Sequence, residues 1–274
     1  MAQKHVICSV GDTLRFFDIG RLVLSRMGFY VRAVNYHATP SVDAENFRRQ
    51  LVFYQRYFDN ASPERLLECL RGGPVGMRPA LLLSFDDGYR SNFDVAAPML
   101  EEFGFTGWFF VSAGRIRAGQ RGGRTVDGAA ADNFMSVNEL RALDQRGHVI
   151  GCHTHSHVRL SSQLSHSQLE DEIVGARSQL AEMLGHPIDS FCWVGGEEYS
   201  YSAVAQRLIE KECFRFSFMT NNRVVTCGTD PLWIQRTNIE ADWPLSQVRF
   251  YLSGVMDLAY WSKRIRIKRR LKQT

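Results

Sequence analysis

The sequence predicts one α/β domain on a parallel sheet, either closed into a barrel or doubly wound. Short β-rich runs alternate with helical patterns along most of the chain, the signature of parallel strands joined by crossover helices. Seven such alternations occupy about 210 residues, so a chain of 274 has little room for a second domain. The composition agrees. With 45% hydrophobic and 12% aromatic residues it supplies one large core and excludes disordered, collagen-like and disulfide-scaffold classes.

The predicted strands are, in order, Val31–Tyr36, Ala80–Phe85, Gly107–Ser112, His148–Cys152, Ser190–Val194, Phe214–Met219 and Leu232–Ile239. The helices between them carry their own start and stop signals. Ser136-x-x-Glu139 reads as a capping box that opens a helix through Leu140 and Leu143, and Ser165-x-x-Gln168 reads the same way. After the second box, Leu169, Ile173, Ala176, Leu180 and Leu184 mark one apolar face, which Gly185 and Pro187 end. Two segments fall outside the alternation. One is Gly114–Asn133, rich in Gly, Arg and Ala, a length that in a compact domain usually signals function or disorder. The other is Trp261–Thr274. The domain layout expected is a helical lead-in over 1–30, the barrel over 31–245, and a C-terminal helix with a basic tail over 246–274.

Charge is unevenly spread. Lys and Arg number 33 against 29 Asp and Glu, a net of +4, yet seven of the basic residues lie between Lys263 and Lys272 and nothing acidic follows Asp257. Without those seven, 26 basic residues face 29 acidic ones, so the body carries −3. Trp261, Ile265, Ile267 and Leu271 interleave with the terminal cations. That mixture suits an anionic membrane surface, contacted through residues 262–274, better than nucleic acid, for which no motif is present. A solvated terminus is the plainer alternative. Met1 to Asp12 lacks a basic region followed by an apolar run, and no stretch approaches the roughly 18 apolar residues of a spanning helix. Six scattered cysteines without a Cys-x-x-Cys pair read as reduced thiols. The expectation is a cytoplasmic protein, peripheral at the inner face of the membrane if the tail binds lipid.

Two stretches carry chemistry. Leu81-Leu82-Leu83-Ser84-Phe85 is an apolar strand that runs into Asp86, Asp87 and the turn residue Gly88. Parallel α/β folds place their sites at such C-terminal strand ends. Adjacent carboxylates repel, and that cost falls if a cation takes one while the other does proton chemistry. An Asx-turn capping the next helix is the bland alternative. The second stretch is His153-Thr154-His155-Ser156-His157, directly after Val149-Ile150-Gly151-Cys152. Three imidazoles in five residues are rare for packing reasons, and those at i and i+4 can converge on one ion. Two His and one Asp leave open coordination positions, as a catalytic metal site requires.

Ser84-Phe85-Asp86-Asp87-Gly88 resembles the first motif of polysaccharide deacetylases of the NodB-homology type, carbohydrate esterase family four. His153-Thr154-x-Ser156-His157 is similar to their second motif, and the resemblance covers roughly residues 30–240. It implies a distorted (β/α)7 barrel, NodB-like, in a single domain. Carried over, Asp87, His153 and His157 are the ligands of a divalent metal, zinc by default, with cobalt, nickel or iron also suited to the donors. Asp86 is the general base that takes the proton of the attacking water. His155 supports the turn or exchanges with a ligand. The resemblance also implies that Arg236, in Arg236-Thr237-Asn238-Ile239, orients Asp86 and depresses its pKa.

Two family motifs depart from their pattern. Phe191-Cys192-Trp193-Val194-Gly195-Gly196 stands where an aromatic-Pro-aromatic-Gly stretch is usual. Gly195 and Gly196 can still offer a backbone N–H to an oxyanion and Trp193 is expected to face substrate, although a plain strand-to-loop turn reads equally well. The late Leu-x-His motif, which normally supplies the general acid, is empty, because no histidine follows His186. Of His5, His37, His148, His155, His166 and His186, His37 stands out, because Asn35-Tyr36-His37 follows the first strand at the same barrel mouth as the other motifs. It is nominated as the acid that protonates the departing amine.

The resemblance therefore implies a metal-dependent hydrolase that removes N-acetyl groups from an amino sugar in a glycan or glycolipid precursor, as in exopolysaccharide biosynthesis. Two alternatives stand beside it: an O-acetyl carbohydrate esterase using the same site, and a non-catalytic glycan-binding relic of the family. The partner expected is an acetylated glycan or glycolipid, with no nucleic acid.

Overall fold

The parallel sheet closes on itself, and the closure is made by one short segment. The computed structural model describes residues 15–26, 28–73, 76–116 and 133–272. Strands β1 (Val31–Tyr36), β3 (Ala80–Phe85), β4 (Gly107–Val111), β5 (Val149–Cys152), β6 (Ser190–Cys192) and β7 (Phe216–Met219) lie close to the predicted runs, and β2 (Asp59–Asn60) is a short strand that was not predicted. All but the two-residue β2, which pairs off the path with β3, form a parallel series β7-β6-β5-β4-β3-β1. The predicted strand Leu232–Ile239 is instead two short pieces, β8 (Ile234–Gln235) and β9 (Thr237–Asn238). The reason is a change of partner: β8 pairs with β7, and β9 pairs with β1 at the opposite edge. Five consecutive residues thus bridge both edges and make the seventh stave of a (β/α)7 barrel. Its distortion is visible at β5 and β6, which share only the Cys152–Phe191 pair.

Alternation along the strands sorts side chains into two layers, because successive residues of a strand point to opposite faces. One cluster, Val31, Ala33, Leu82, Trp108, Phe110, Phe216, Phe218 and Ile234 among its members, fills the lower barrel interior. The intervening residues, such as Val34, Leu81, Leu83, Phe109, Val111 and Ile150, pack outward with the helices in the larger cluster. Gly151 has no side chain because Phe110 needs the space: a Cβ there would lie 2.4 Å from the Phe110 ring. Continued upward, the inward register becomes polar, with Asn35, Ser84, Asp86, His153, Cys192, Thr220 and Arg236. The barrel floor is therefore apolar and its mouth carries the chemistry.

Both predicted capping boxes form. Ser136 and Glu139 open the Val137–Gln145 helix, and Ser165 with Gln168 opens His166–Glu170. The second helix runs on through a π-turn, Asp171–Gly175, into Ala176–Leu184, and Gly185 ends it in the left-handed conformation. A helix over Phe16–Arg26 precedes the barrel, and three short helices, Leu245–Leu252, Val255–Ala259 and Trp261–Leu271, follow it. Buried Arg32 on β1 reaches Asp257 at 2.6 Å and ties the last helices to the barrel wall. Among the described residues no helix is long and apolar enough to cross a membrane. Cys69, Cys152, Cys192, Cys213 and Cys227 are free thiols. Cys8, His5 and the core of the Gly114–Asn133 segment, residues 117–132, lie outside the described residues.

Candidate active site

At the end of β3 the chain splits two adjacent carboxylates between two tasks. The Asp86 N–H donates to Tyr36 O at 2.9 Å, which holds the turn against β1. Asp87 then takes a left-handed backbone, φ 75°, which turns its side chain toward the β5 end. That conformation is uncommon for a residue with a Cβ and is found where the surroundings impose it.

Asp86 is buried and engaged by Arg236 as a fork: Nη1 donates to Oδ1 and Nη2 to Oδ2, both at 2.7 Å. Arg236 is itself fully buried. Its Nη1 also donates to Ser84 Oγ at 2.9 Å and its Nη2 to Thr220 Oγ1 at 3.3 Å. Burial pushes the Asp86 carboxyl up, but Arg236, with the charges of His153 and His37, outweighs it and holds the group below its ordinary range. The base candidate is thus ionised and fixed in plane.

Asp87 turns to the histidines. Its Oδ1 lies 2.6 Å from His157 Nε2, 3.7 Å from His153 Nε2 and 3.1 Å from Arg115 Nη1. Burial raises this carboxyl, and His157, His153 and Arg115 together bring it well below the usual range. Oδ1 is buried yet makes no aligned hydrogen bond, which is an unmet need that a cation satisfies. His153 Nδ1 donates to Cys192 O at 2.9 Å, so its Nε2 is left with a lone pair. Burial pushes His153 down to about 4, so the ring is neutral near pH 7. The ligand atoms of Asp87, His153 and His157 all lie within 4.8 Å of one another, so the donor set fits one divalent ion. Asp86, His153 and Cys192 also cluster. There both Asp86 oxygens are already committed to Arg236 and burial holds the Cys192 thiol protonated, so that group is the poorer ligand set.

Two π-turns pin the loops that carry these groups. Glu172, in the Asp171–Gly175 turn, accepts from the N–H of His155 and of Ser156 at 2.9 Å each, and from Ser156 Oγ. His155 itself packs beside Gly114 and is not among the converging ligands. Buried Asn92, in the Asn92–Ala96 turn, donates to His37 O at 2.8 Å and accepts from Thr39 Oγ1 at 2.9 Å. π-turns inside helices recur at functional sites, and here each aims one polar side chain at a site loop.

His37 opens on the same cavity. Its Nδ1 donates to Glu240 Oε1 at 2.8 Å, and Glu240 Oε1 also accepts from Asn238 Nδ2 at 3.0 Å. Asn238 in turn accepts from Asn35 at 2.9 Å. Burial lowers the His37 pKa, but the Glu240 hydrogen bond and the charges of Asp86, Glu240 and Asp87 prevail and raise it to about 9.

The cavity measures about 250 Å3 and is lined by eight of the nine residues nominated from the sequence. The ninth, Arg236, lies beneath and holds Asp86. Two of the eight differ in detail from expectation. The Trp193 ring is 1% exposed, with its N–H satisfied by Ser217 Oγ at 3.0 Å, so it packs into the wall instead of presenting a face to substrate. The Gly196 N–H is taken by Glu197 Oε2 at 3.2 Å and is not offered to the cavity. Gly195 is held at φ 78°, where a Cβ would lie 2.7 Å from Glu197 Oε2, so no other residue fits without a shift. Arg159 also lines the cavity, paired with Glu197, whose carboxyl it holds down to about 2.

Sequence reasoning missed Glu172, Asn92, Arg115, Arg159 and Glu240. Only Glu240 had a readable signal, as the third polar residue in the alternation Arg236, Asn238, Glu240. The others are single polar residues in helices or loops, brought to the site by topology alone.

Comparison with known proteins bears on the family and the fold. Residues 75–211 match the family model described as polysaccharide deacetylase. A search of the curated proteins finds no match. Among solved structures, the Streptococcus pyogenes deacetylase PplD in complex with acetate superposes with a TM-score of 0.67 at 17% identity, covering 81% of this chain and 98% of its own. The de-N-acetylase from Aggregatibacter actinomycetemcomitans gives 0.67 at 15% identity, over 81% and 100%. IcaB from Ammonifex degensii gives 0.66 at 21% identity, over 83% and 98%. At these identities the likeness establishes the barrel fold.

Proposed function

The chain belongs to the polysaccharide deacetylase family, hydrolases acting on carbon–nitrogen bonds, and from that premise we propose that it removes N-acetyl groups from an amino sugar of a glycan or glycolipid precursor. The observation that carries the reading is the division of labour between neighbouring carboxylates. Asp86 faces Arg236, Asp87 faces two histidines, and both border one cavity. That arrangement separates a base from a metal ligand within a single turn.

Asp87, His153 and His157 would hold the divalent ion, zinc by default, with cobalt, nickel or iron suited to the same donors. Such an ion supplies Lewis acidity, lowering the pKa of a water and polarising the acetyl carbonyl. Asp86 accepts the proton that the water loses as its oxygen adds to the acetyl carbon. Arg236 keeps Asp86 ionised and prevents it from turning toward Asp87. The Gly195 N–H, which has no hydrogen-bond partner among the described residues, is a backbone donor at the cavity for the oxyanion. His37, cationic at neutral pH through Glu240, protonates the nitrogen as the C–N bond breaks, so acetate and a free amine leave. A cavity of about 250 Å3 is below the range of about 300–1,000 Å3 typical of drug-sized ligands, which suits one acetylated sugar unit with the rest of the glycan outside.

The test is acetate release by wild type and Asp86→Asn from N-acetylated amino-sugar oligomers and from O-acetylated sugars. Wild type should act on the N-acetylated set, and Asp86→Asn should lose at least about a hundredfold while keeping its metal. Release from the O-acetylated set alone would replace the amidase reading with an esterase. Stoichiometric metal with no release from either set would leave a glycan-binding relic.

A further inference from the structure

On the barrel flank, well apart from the catalytic mouth, the helix before the barrel and the helices after it meet around a second and larger cavity of about 640 Å3. The two cavities share no lining residue. Ile19 and Val23 line the larger one from the first helix, and Val255, Leu258, Trp261 and Ile265 line it from the last two. Its apolar rim is open to solvent: Leu258 is 79% exposed, Trp261 62% and Ile19 56%. Leu22 and Val23 are also more than half exposed. Large apolar side chains gathered in one exposed patch mark an interaction surface.

Charge identifies what the surface meets. On the Trp261–Leu271 helix, Trp261, Ile265 and Lys268 follow at i, i+4 and i+7 and so share one face, and all three line the cavity with Arg223. Exposed Lys268, Arg269 and Lys272 make no ion pair among the described residues, and Arg270 acts only at longer range on Glu198, which Arg266 already holds. The acidic groups nearby are already committed: Asp257 to Arg32, Glu198 to Arg266, and Asp18 to Arg249. The patch is therefore apolar at its centre and cationic along one border. An interfacial helix has this distribution where its apolar side meets acyl chains and its cations meet anionic headgroups. Nor is this a frayed terminus. Buried Arg264 donates to the carbonyls of Asn221, Asn222 and Asp257 and locks the last helix onto the barrel.

We propose that this two-ended platform docks the protein onto an anionic lipid bilayer. Contact is then made by apolar residues from both sides of the barrel sequence, with the basic helix as their electrostatic border. The inference is independent of the catalytic reading, because it uses none of the mouth residues.

The full chain is mixed with vesicles of phosphatidylcholine alone, or with about one third phosphatidylglycerol, at low and high salt. Binding is expected only to the anionic vesicles and is weakened by salt. Brominated acyl chains should quench tryptophan fluorescence in wild type, and Trp261→Phe should abolish most of that quenching. Leu258→Ser combined with Trp261→Ser should raise the lipid concentration for half-maximal binding about tenfold or more. Lys268→Glu with Arg269→Glu should do likewise at low salt, and both pairs should keep acetate release from a soluble substrate. Equal binding to neutral and anionic vesicles, or none to either, overturns the proposal. So does a wild-type dimer in buffer that the Leu258 and Trp261 substitutions dissolve, since a second copy would then be the occupant.

Discussion

Replacing Glu240 with Gln isolates the role of His37. The substitution keeps the shape of the side chain and its amide oxygen can still accept from Nδ1, but it removes the charge that holds the imidazolium. In the native protein burial works against the charged ring, and the Glu240 bond with the Asp86, Glu240 and Asp87 charges raises its pKa from 6.5 to about 9. At pH 7.5 a group of pKa 9 is about 97% protonated, and a fall all the way to 6.5, the limit if Glu240 supplied the whole rise, would leave about 9%. If His37 delivers the proton to the amine, Glu240→Gln should therefore slow acetate release by up to about tenfold at pH 7.5, and hardly at all near pH 5.5. The assay is a pH profile of kcat/KM for both proteins with identical metal content. A cation at Asp87 offsets that residue's share of the shift in both, so the separation of the two alkaline limbs is the measured quantity. Stability carries the same sign. The raised pKa favours the fold fully below pH 6.5, and that contribution is lost as pH rises through 9. Superimposed alkaline limbs, or full activity in His37→Ala, would refute the assignment.

Three further outcomes follow from the geometry. Arg236→Lys keeps the charge but cannot fork onto both Asp86 oxygens, so kcat should drop about a hundredfold with metal content unchanged; loss of metal would show that the pair serves the ligand set instead. His157→Ala should lose the metal and activity together, and elemental analysis after dialysis reads this directly; retained stoichiometric metal would remove His157 from the ligands. Gly195→Ala forces a side chain onto φ 78° against Glu197 and Ser200, which should destabilise the fold by about 1–3 kcal/mol in denaturant unfolding; an unchanged midpoint would mean that the loop gives way freely.

The strands were legible because each is a short apolar run between polar punctuation. β1 and β3 fall on the predicted residues, and the other predicted runs overshoot by one or two. The convergence of Asp86, Asp87, His153 and His157 on one cavity was legible because these residues are local, two carboxylates in sequence and histidines at i and i+4, each at a strand end. Glu172 and Asn92 were not legible, because their function exists only once a helix has folded back over a loop more than fifteen residues away. Trp193 misled for a related reason. An aromatic beside a glycine pair looks like a substrate wall, but the inward register of β6 ends at Cys192 and the indole turns into the core.

The closing stave links the two sides of the cavity mouth. Arg236, Asn238 and Glu240 alternate along one extended segment, so strand geometry presents all three to the same side. Arg236 holds Asp86, the proposed base, Glu240 holds His37, the proposed acid, and Asn238 links Glu240 to Asn35 on β1. The stave that pairs with β7 and with β1, continued two residues to Glu240, thereby reaches both Asp86 and His37. On the proposed roles, closure of the barrel and alignment of acid and base are one structural event. A family member that lacks the late histidine can then keep a complete acid–base pair, because the segment that seals the barrel carries Glu240 to His37 as well as Arg236 to Asp86.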